Sequence, residues 1–478
     1  MWWHDAVIYE IYPRSFQDSS GDGIGDLPGI ISRLDHVRWL GARAIWLAPF
    51  YRSPNADFGY DVSDYKSVDP AYGTLEDFDR LVAAAHDRHL KVIVDFVPCH
   101  TSIQHPWFRQ RPDFYFWADS PPNNWRATFG GSAWELDAQT GRYYLHSFFP
   151  EQADLNWRNP DVRAEMTDAL RFWLGRGIDG FRLDAIDRLF KDPELRDDPP
   201  ASEPFALPLR DEYAALRHIH SGNAPDIGTA LRAIRDAVGD ALLVGEAYLP
   251  TAQLGPYVET LDVVFAFEAM NAGPNAQRLK TTIRHACEAG KLGWVLSNHD
   301  FTRLATRFQD DFRAACVLFL SLPGAAFVFQ GDELGIPDGP GATPPRDRTS
   351  RDRFRHPMPW DSSPTGGFTT GTPWLPPFEP GACNVADQAR ESDSVLQLVR
   401  RLIALRPRFA PGLRFLDSPP QTVVLERGRH VIAANFSDRR ADISRPGELV
   451  LEAHAGDGAR RDCLPAHAAW VARRSPGL

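Results

Sequence analysis

Short runs rich in Val, Ile and Phe alternate along the chain with longer stretches whose apolar positions recur every three or four residues. The runs are Val7–Tyr12, Ala44–Leu47, Lys91–Val97, Gly180–Leu183, Leu242–Glu246, Val263–Phe267, Trp294–Leu296 and Ala326–Gln330. A run that is apolar at odd and even positions alike suits a strand buried on both faces, as in a parallel sheet. Between the runs, Thr74 can cap a helix through Leu75, Phe78, Leu81 and Val82. Val162, Met166, Leu170 and Trp173 share one helical face, and Arg313–Leu322 is a further apolar helix. Eight such alternations predict a (β/α)8 TIM barrel, although a doubly wound open sheet alternates too. Polar residues at or just after strand ends favour the barrel: Asp95, Asp184, Glu246, Asn298 and Asp300. In a barrel the C-terminal strand ends share one mouth.

The alternation breaks in four places. His100–Arg158 is rich in Trp, Pro, Asn and Gly and reads as an inserted subdomain after strand three. Lys191–Gly222 is a shorter insertion of loop and helix, and Asp338–Pro380 reads as a long ordered loop or a boundary. After a helix over Val395–Leu405, the alternating segments Thr422–Glu426, His430–Phe436 and Glu448–Glu452 predict a C-terminal antiparallel β-sandwich. The expected division is therefore 1–99 and 159–394 for the barrel, 100–158 for the insertion and 395–478 for the final domain.

Composition narrows the partners. Of 478 residues, 52 are Lys or Arg and 63 are Asp or Glu, a net charge of −11, so a phosphate backbone or an anionic membrane surface is a poor partner. No apolar run reaches the ~18 residues of a membrane span, and the first residues lack the basic-then-apolar pattern of a signal peptide. Five scattered cysteines suggest a reducing compartment. The expectation is a cytoplasmic protein, monomer or homodimer, with no nucleic-acid or membrane partner.

Asp184, Glu246 and Asp300 each follow a strand-like run. Two carboxylates at one rim can run glycoside hydrolysis, one attacking the anomeric carbon and one protonating the leaving oxygen. A third can bind sugar hydroxyls. Arg182 precedes Asp184 by two positions and points to the same side of a strand, where it would keep Asp184 ionised. Glu246 needs surroundings that favour its protonated form. His100 and His299 can donate to hydroxyls. Strand-end acids also bind loops, so the set carries more weight than any one member.

These motifs resemble the α-amylase family, glycoside hydrolase family 13, and most of all its α-glucosidase and oligo-1,6-glucosidase branch. The resemblance rests on Asp95-Phe-Val-Pro-Cys-His100, Gly180-Phe-Arg-Leu-Asp184, Gly245-Glu246, Ser297-Asn-His-Asp300 and Gln152-Ala-Asp-Leu-Asn156, in family order. Ile8–Phe16 and His356–Asp361 fit as well. It implies Asp184 as nucleophile, Glu246 as general acid/base and Asp300 as transition-state stabiliser. It also implies His299 as a sugar ligand. The far hydroxyls of a terminal glucose are then expected on Asp61 and a late arginine, Arg355 before Arg351, with Tyr60 stacking on the ring or packing in the core. Cys99 stands where the family carries Asn, which alters hydrogen bonding around His100, and Ala153 replaces a Pro.

In similar enzymes the residue after the nucleophile influences linkage. Ala185 there points to α-1,4 bonds, as in maltose and maltooligosaccharides. The function expected is a retaining exo-acting α-glucosidase on small oligosaccharides. An α-1,6-glucosidase and a transglucosylase or sucrose-acting enzyme are the alternatives. Finally, Asp18, Ser20, Asp22, the Ile24 carbonyl and Asp26 follow calcium-loop spacing, though Gly29 stands where a closing Glu belongs. The same loop resembles the branch's calcium loop. A structural calcium ion is expected, and no cofactor for catalysis.

Overall fold

The structure is a computed structural model that describes residues 1–201, 211–453 and 463–474. Eight strands close into one parallel barrel: β1 (Val7–Ile11), β2 (Ala44–Leu47), β3 (Lys91–Phe96), β4 (Gly180–Leu183), β5 (Leu242–Gly245), β6 (Val263–Phe265), β7 (Leu292–Val295) and β8 (Ala326–Phe329). Each expected run overlaps one strand. The edges shift where a new element begins: Phe267 opens a short helix, Phe267–Met270, instead of ending β6. Strands are buried along nearly their whole length, which is why they read as unbroken apolar runs.

The chain forms two compact units. One comprises Met1–Ile45, Ala84–Lys91 and Ala266–Leu478; the other comprises Trp46–Ala83 and Val92–Phe265. In the second unit, Gly180 pairs with Ile93 and Leu242, and Leu183 with Phe96 and Gly245. A Cβ at Gly180 would lie 2.5 Å from the Leu242 carbonyl oxygen, so this close approach demands glycine. The helix Leu75–Asp87 begins as expected: Thr74 Oγ1 accepts from the Asp77 amide and Asp77 accepts from the Thr74 amide, a reciprocal cap. The helix Pro160–Leu174 buries Val162, Met166, Leu170 and Trp173, and Trp173 packs edge-on against Phe50 and Phe78.

Residues 100–158 carry short antiparallel pairs rather than a barrel repeat. His100–Ser102 pairs with Gln152–Asp154, and Trp117–Ala118, Arg142–Leu145 and Trp134–Asp137 make a three-stranded sheet. Trp125, Ala133, Trp134 and Leu145 form a local core. Part of the Lys191–Gly222 insertion, 202–210, lies outside the described residues.

In the first unit the C-terminal region is antiparallel, as expected, with one five-stranded sheet among the described residues. Its strands are β9 (Arg414–Phe415), β10 (Thr422–Arg427), β11 (His430–Asn435), β12 (Gly447–Ala453) and β13 (Ala469–Arg474), in the order β9-β10-β11-β13-β12. The helix Phe312–Leu320, apolar nearly all round, packs on β11 and β13. Ala441, Ile443 and Leu464 join the cluster around Trp470, and Ala441 bridges Leu464. The segments 454–462 and 475–478, within the expected final domain, lie outside the described residues. Among the described residues no helix is long and apolar enough to cross a membrane.

Candidate active site

Arg182, fully buried in β4, organises the second unit's site. Its Nη1 reaches Asp95 Oδ1 at 2.7 Å and Asp184 Oδ1 at 2.6 Å, and its Nη2 reaches Glu246 Oε2 at 2.5 Å. The three carboxylates come from adjacent strands: Asp95 lies within β3, Asp184 follows β4 and Glu246 follows β5. Burial disfavours the guanidinium's charge, but Asp95, Glu246, Tyr60 and Asp184 more than offset that and raise its affinity for the proton. The sequence reading gave Arg182 to Asp184; the structure gives it Asp95 and Glu246 too. Arg182 thus brings a positive charge to Glu246, the residue that acid work needs protonated. The other Glu246 oxygen, Oε1, accepts from the Tyr248 hydroxyl at 3.0 Å. Tyr248 has no motif signal in the sequence.

Asp95 is further fixed by Trp46 Nε1 at 3.2 Å and the Tyr60 hydroxyl at 3.1 Å. The Tyr60 hydroxyl thus helps to hold Asp95. Ala185 leaves β4 with φ 45° and ψ 44°, a left-handed conformation unusual for a residue other than Gly, Asn or Asp. That turn places its amide 3.4 Å from Glu246 Oε2.

Asp61 is used inside its own loop: Oδ1 accepts from Ser53 Oγ and the Asp57 amide, and Oδ2 from the Ala56 amide, at 2.8–2.9 Å. Burial pushes its carboxyl up to about 6, against those hydrogen bonds. Asp57, four residues earlier, is the carboxylate that meets Gln152, beside His100. Its Oδ2 accepts from Gln152 Nε2 at 3.0 Å, and the same amide nitrogen lies 3.0 Å from His100 Nε2. Two acids in one Asp-Phe-Gly-Tyr-Asp turn cannot be ranked by spacing alone.

Burial lowers the basicity of His100, and its Nδ1 is enclosed without a hydrogen-bond partner. Cys99, His100 and Asp154 bring potential ligand atoms within 4.8 Å of one another. Asp154, however, is already paired with Lys191 Nζ at 2.8 Å and with the Ser147 amide at 2.8 Å. A buried ammonium on the carboxylate opposes a second cation there. His100 thus has an unsatisfied imidazole nitrogen close to the buried Cys99 thiol.

The first unit holds Asp300 and its partners. Asp300 Oδ1 accepts from Arg355 Nη2 at 2.8 Å and Arg351 Nη1 at 3.0 Å, and Oδ2 lies 3.2 Å from His299 Nε2. Burial raises its proton affinity, but His299, Arg351 and Arg355 more than reverse that and hold it well below the usual carboxylate range. Arg355 also donates from Nε to the His299 carbonyl at 2.7 Å and from Nη1 to Asp347 at 3.3 Å. Arg355, expected as a sugar ligand, thus directs Nη2 at Asp300 itself and its other nitrogens at the His299 carbonyl and Asp347. Arg351 also meets Asp300, bracing on Asp347 at 2.8 Å.

The 18–26 loop closes on its own amides. Asp18 Oδ1 accepts from the Ser20 and Gly21 amides at 2.8 Å, and its Oδ2 from the Gly23 amide at 2.7 Å. Burial opposes the Asp18 charge, but Thr369, Gly21, Gly23 and Ser20 donate to it and lower its proton affinity. Asp26 caps the helix Leu27–Leu40 through the Gly29 amide, and Asp22 accepts from Ile24. Among the described residues Asp18, Asp22 and Asp26 do not converge as a metal-ligating triad.

A family model for the alpha amylase catalytic domain matches residues 10–410. A probable alpha-glucosidase of Rhizobium meliloti (strain 1021) is 42% identical, over 87% of this chain and 85% of that protein. An oligo-1,6-glucosidase of Parageobacillus thermoglucosidasius is 34% identical, over 95% and 93%. The crystal structure of an alpha-glucosyl transfer enzyme, XgtA, superposes with a TM-score of 0.90 at 37% identity, covering 99% of each chain.

Proposed function

The chain belongs to the alpha-amylase family and is a glycoside hydrolase, and on that premise we propose that it removes single glucose units from short α-glucosides with retention of configuration. The observation that carries this reading is the sharing of Arg182 by Asp184 and Glu246. Two carboxylates on one guanidinium support the close spacing of a retaining pair, about 5–5.5 Å, over the wider inverting one. Asp184 attacks the anomeric carbon as the bond to the leaving oxygen breaks, and Glu246 gives that oxygen its proton. Glu246 then takes a proton from water, which attacks the same carbon and frees Asp184. Asp300 holds sugar hydroxyls. Asp57, His100 and Gln152 take the place first given to Asp61 in binding the terminal glucose.

The preferred bond is α-1,4, the reading supported by Ala185. A relative described as an alpha-glucosyl transfer enzyme supports a second reading, in which an acceptor alcohol replaces water. Incubation with maltose, isomaltose and sucrose, each with and without an added alcohol, separates them. Glucose chiefly from maltose is expected. Glucosides of the alcohol as the main product would contradict hydrolysis, and glucose chiefly from isomaltose would contradict the linkage.

Calcium in the 18–26 loop is a further proposal, supported by the spacing of its oxygens. A cation there would compete with the amides that now hold Asp18. A melting temperature that rises with calcium and falls with chelator is expected; no change would contradict it. A cytoplasmic location rests on the sequence reading and is tested by fractionation.

A further inference from the structure

Glu10 interrupts an apolar strand. It lies in β1 among Val7, Ile8, Tyr9 and Ile11 and is fully buried, where an acid is rare unless paired. Its Oε1 lies 2.5 Å from Nδ1 of His299, whose ring is also fully buried. The other ring nitrogen faces Asp300. Both nitrogens of one imidazole therefore meet carboxylates.

We propose that Glu10 is a positioning residue: it holds His299 as an imidazolium, so that the far ring nitrogen donates to Asp300 throughout turnover. A neutral imidazole has one N–H and one bare lone pair, so one of the two carboxylates would face a lone pair. Only the doubly protonated ring donates to both.

Charge balance in the cluster points the same way. Asp300 is also met by Arg351 and Arg355, and both arginines meet Asp347. Glu10, Asp300 and Asp347 are thus matched by Arg351, Arg355 and His299 when His299 is charged. Loss of its proton would leave a buried excess of negative charge, which is costly. Tyr12 stacks on the imidazole at 5.7 Å and 14°, and the Arg355 guanidinium, already counted in that balance, donates from Nε to the His299 carbonyl. Burial disfavours the cation, yet Asp300 and Glu10 raise the ring's affinity to about 9. Held this way, Asp300 has cations on both oxygens and one orientation, which the ordering of sugar hydroxyls requires.

The kinetic part of this inference rests on the glucoside-hydrolysis reading, so the test has two arms. Glu10→Gln keeps the shape and can accept from Nδ1–H but carries no charge. For maltose hydrolysis its kcat near pH 5.5 is expected within about threefold of the parent, while the alkaline limb moves down by about one pH unit or more. Glu10→Asp keeps the charge and is expected to restore most of that limb, which separates charge from folding. The second arm is 15N-histidine NMR of the full chain, with His299 assigned through His299→Asn. His299 is expected as imidazolium near pH 8 in the parent and as neutral ring in Glu10→Gln. Superimposable pH profiles, or an imidazolium near pH 8 in Glu10→Gln, would overturn the proposal. A parent that turns over no glucoside overturns the hydrolysis reading instead, and the NMR arm still decides the role of Glu10.

Discussion

The Arg182 group and the Asp300 group solve opposite electrostatic problems. Around Arg182, one guanidinium meets Asp95, Asp184 and Glu246. Around Asp300, three cations meet three carboxylates. The first group has more negative than positive charge in direct contact, so it has reason to take up a proton and to favour positive charge developing on a sugar. The second is balanced and rigid, which suits an acid that must stay ionised and fixed. The difference suggests that chemistry belongs to the unbalanced group and substrate orientation to the balanced one.

The largest expected effect tests the unbalanced group. Asp184→Ala or Glu246→Gln should lower turnover on maltose by about 10³-fold or more, with circular dichroism unchanged. Glu246→Gln should lose less on a nitrophenyl glucoside, whose leaving group needs no proton. Near-parent activity in either variant would reverse the comparison. Arg182→Met leaves three carboxylates without their common cation and should cost about 3–5 kcal/mol, read from the urea midpoint. The balanced group should respond more mildly. Asp347→Asn loosens Arg351 and Arg355 and should reduce kcat about 10- to 100-fold without changing which bond is cut.

Smaller effects sharpen the account. Ala185→Val puts a β-branched residue at positive φ and should cost about 1–3 kcal/mol while shifting the rate ratio from maltose towards isomaltose. The smallest effect is in stability against pH. His299 binds its proton more tightly folded, about 9, than its ordinary 6.5. Its contribution is therefore complete below about pH 6.5 and lost as pH rises through 9. The melting temperature should fall a few degrees across that window, and less in Glu10→Gln.

The two groups also differ in how legible they were. Asp184, Arg182 and Glu246 sit on consecutive, buried, hydrogen-bonded strands, so apolar runs and a two-residue spacing were enough to place them on neighbouring strand ends. The partners of His299 and Asp300 come from β1 and from the irregular stretch around Asp347–Arg355, which has no period to read. Arg355 was singled out, but its use on Asp300 was not visible, and Glu10 passed as part of an apolar strand. Asp61 and Asp57 share one turn, and only the hydrogen bonds of that turn separate them. The antiparallel C-terminal domain was legible in the same way. Alternation along β10, β11 and β12 reports a sheet with sided faces, and it is silent on whether a second sheet or the helix Phe312–Leu320 covers one of them.

The central claim is that Asp184 forms a covalent bond to glucose. Incubating the protein with a fluorinated glucosyl fluoride that slows deglycosylation, then mapping the digested chain by mass spectrometry, tests it directly. The account predicts one added fluoroglucosyl group on the peptide containing Asp184, lost in Asp184→Ala. A label on Glu246 or Asp300, or turnover with no label on any peptide, would contradict it.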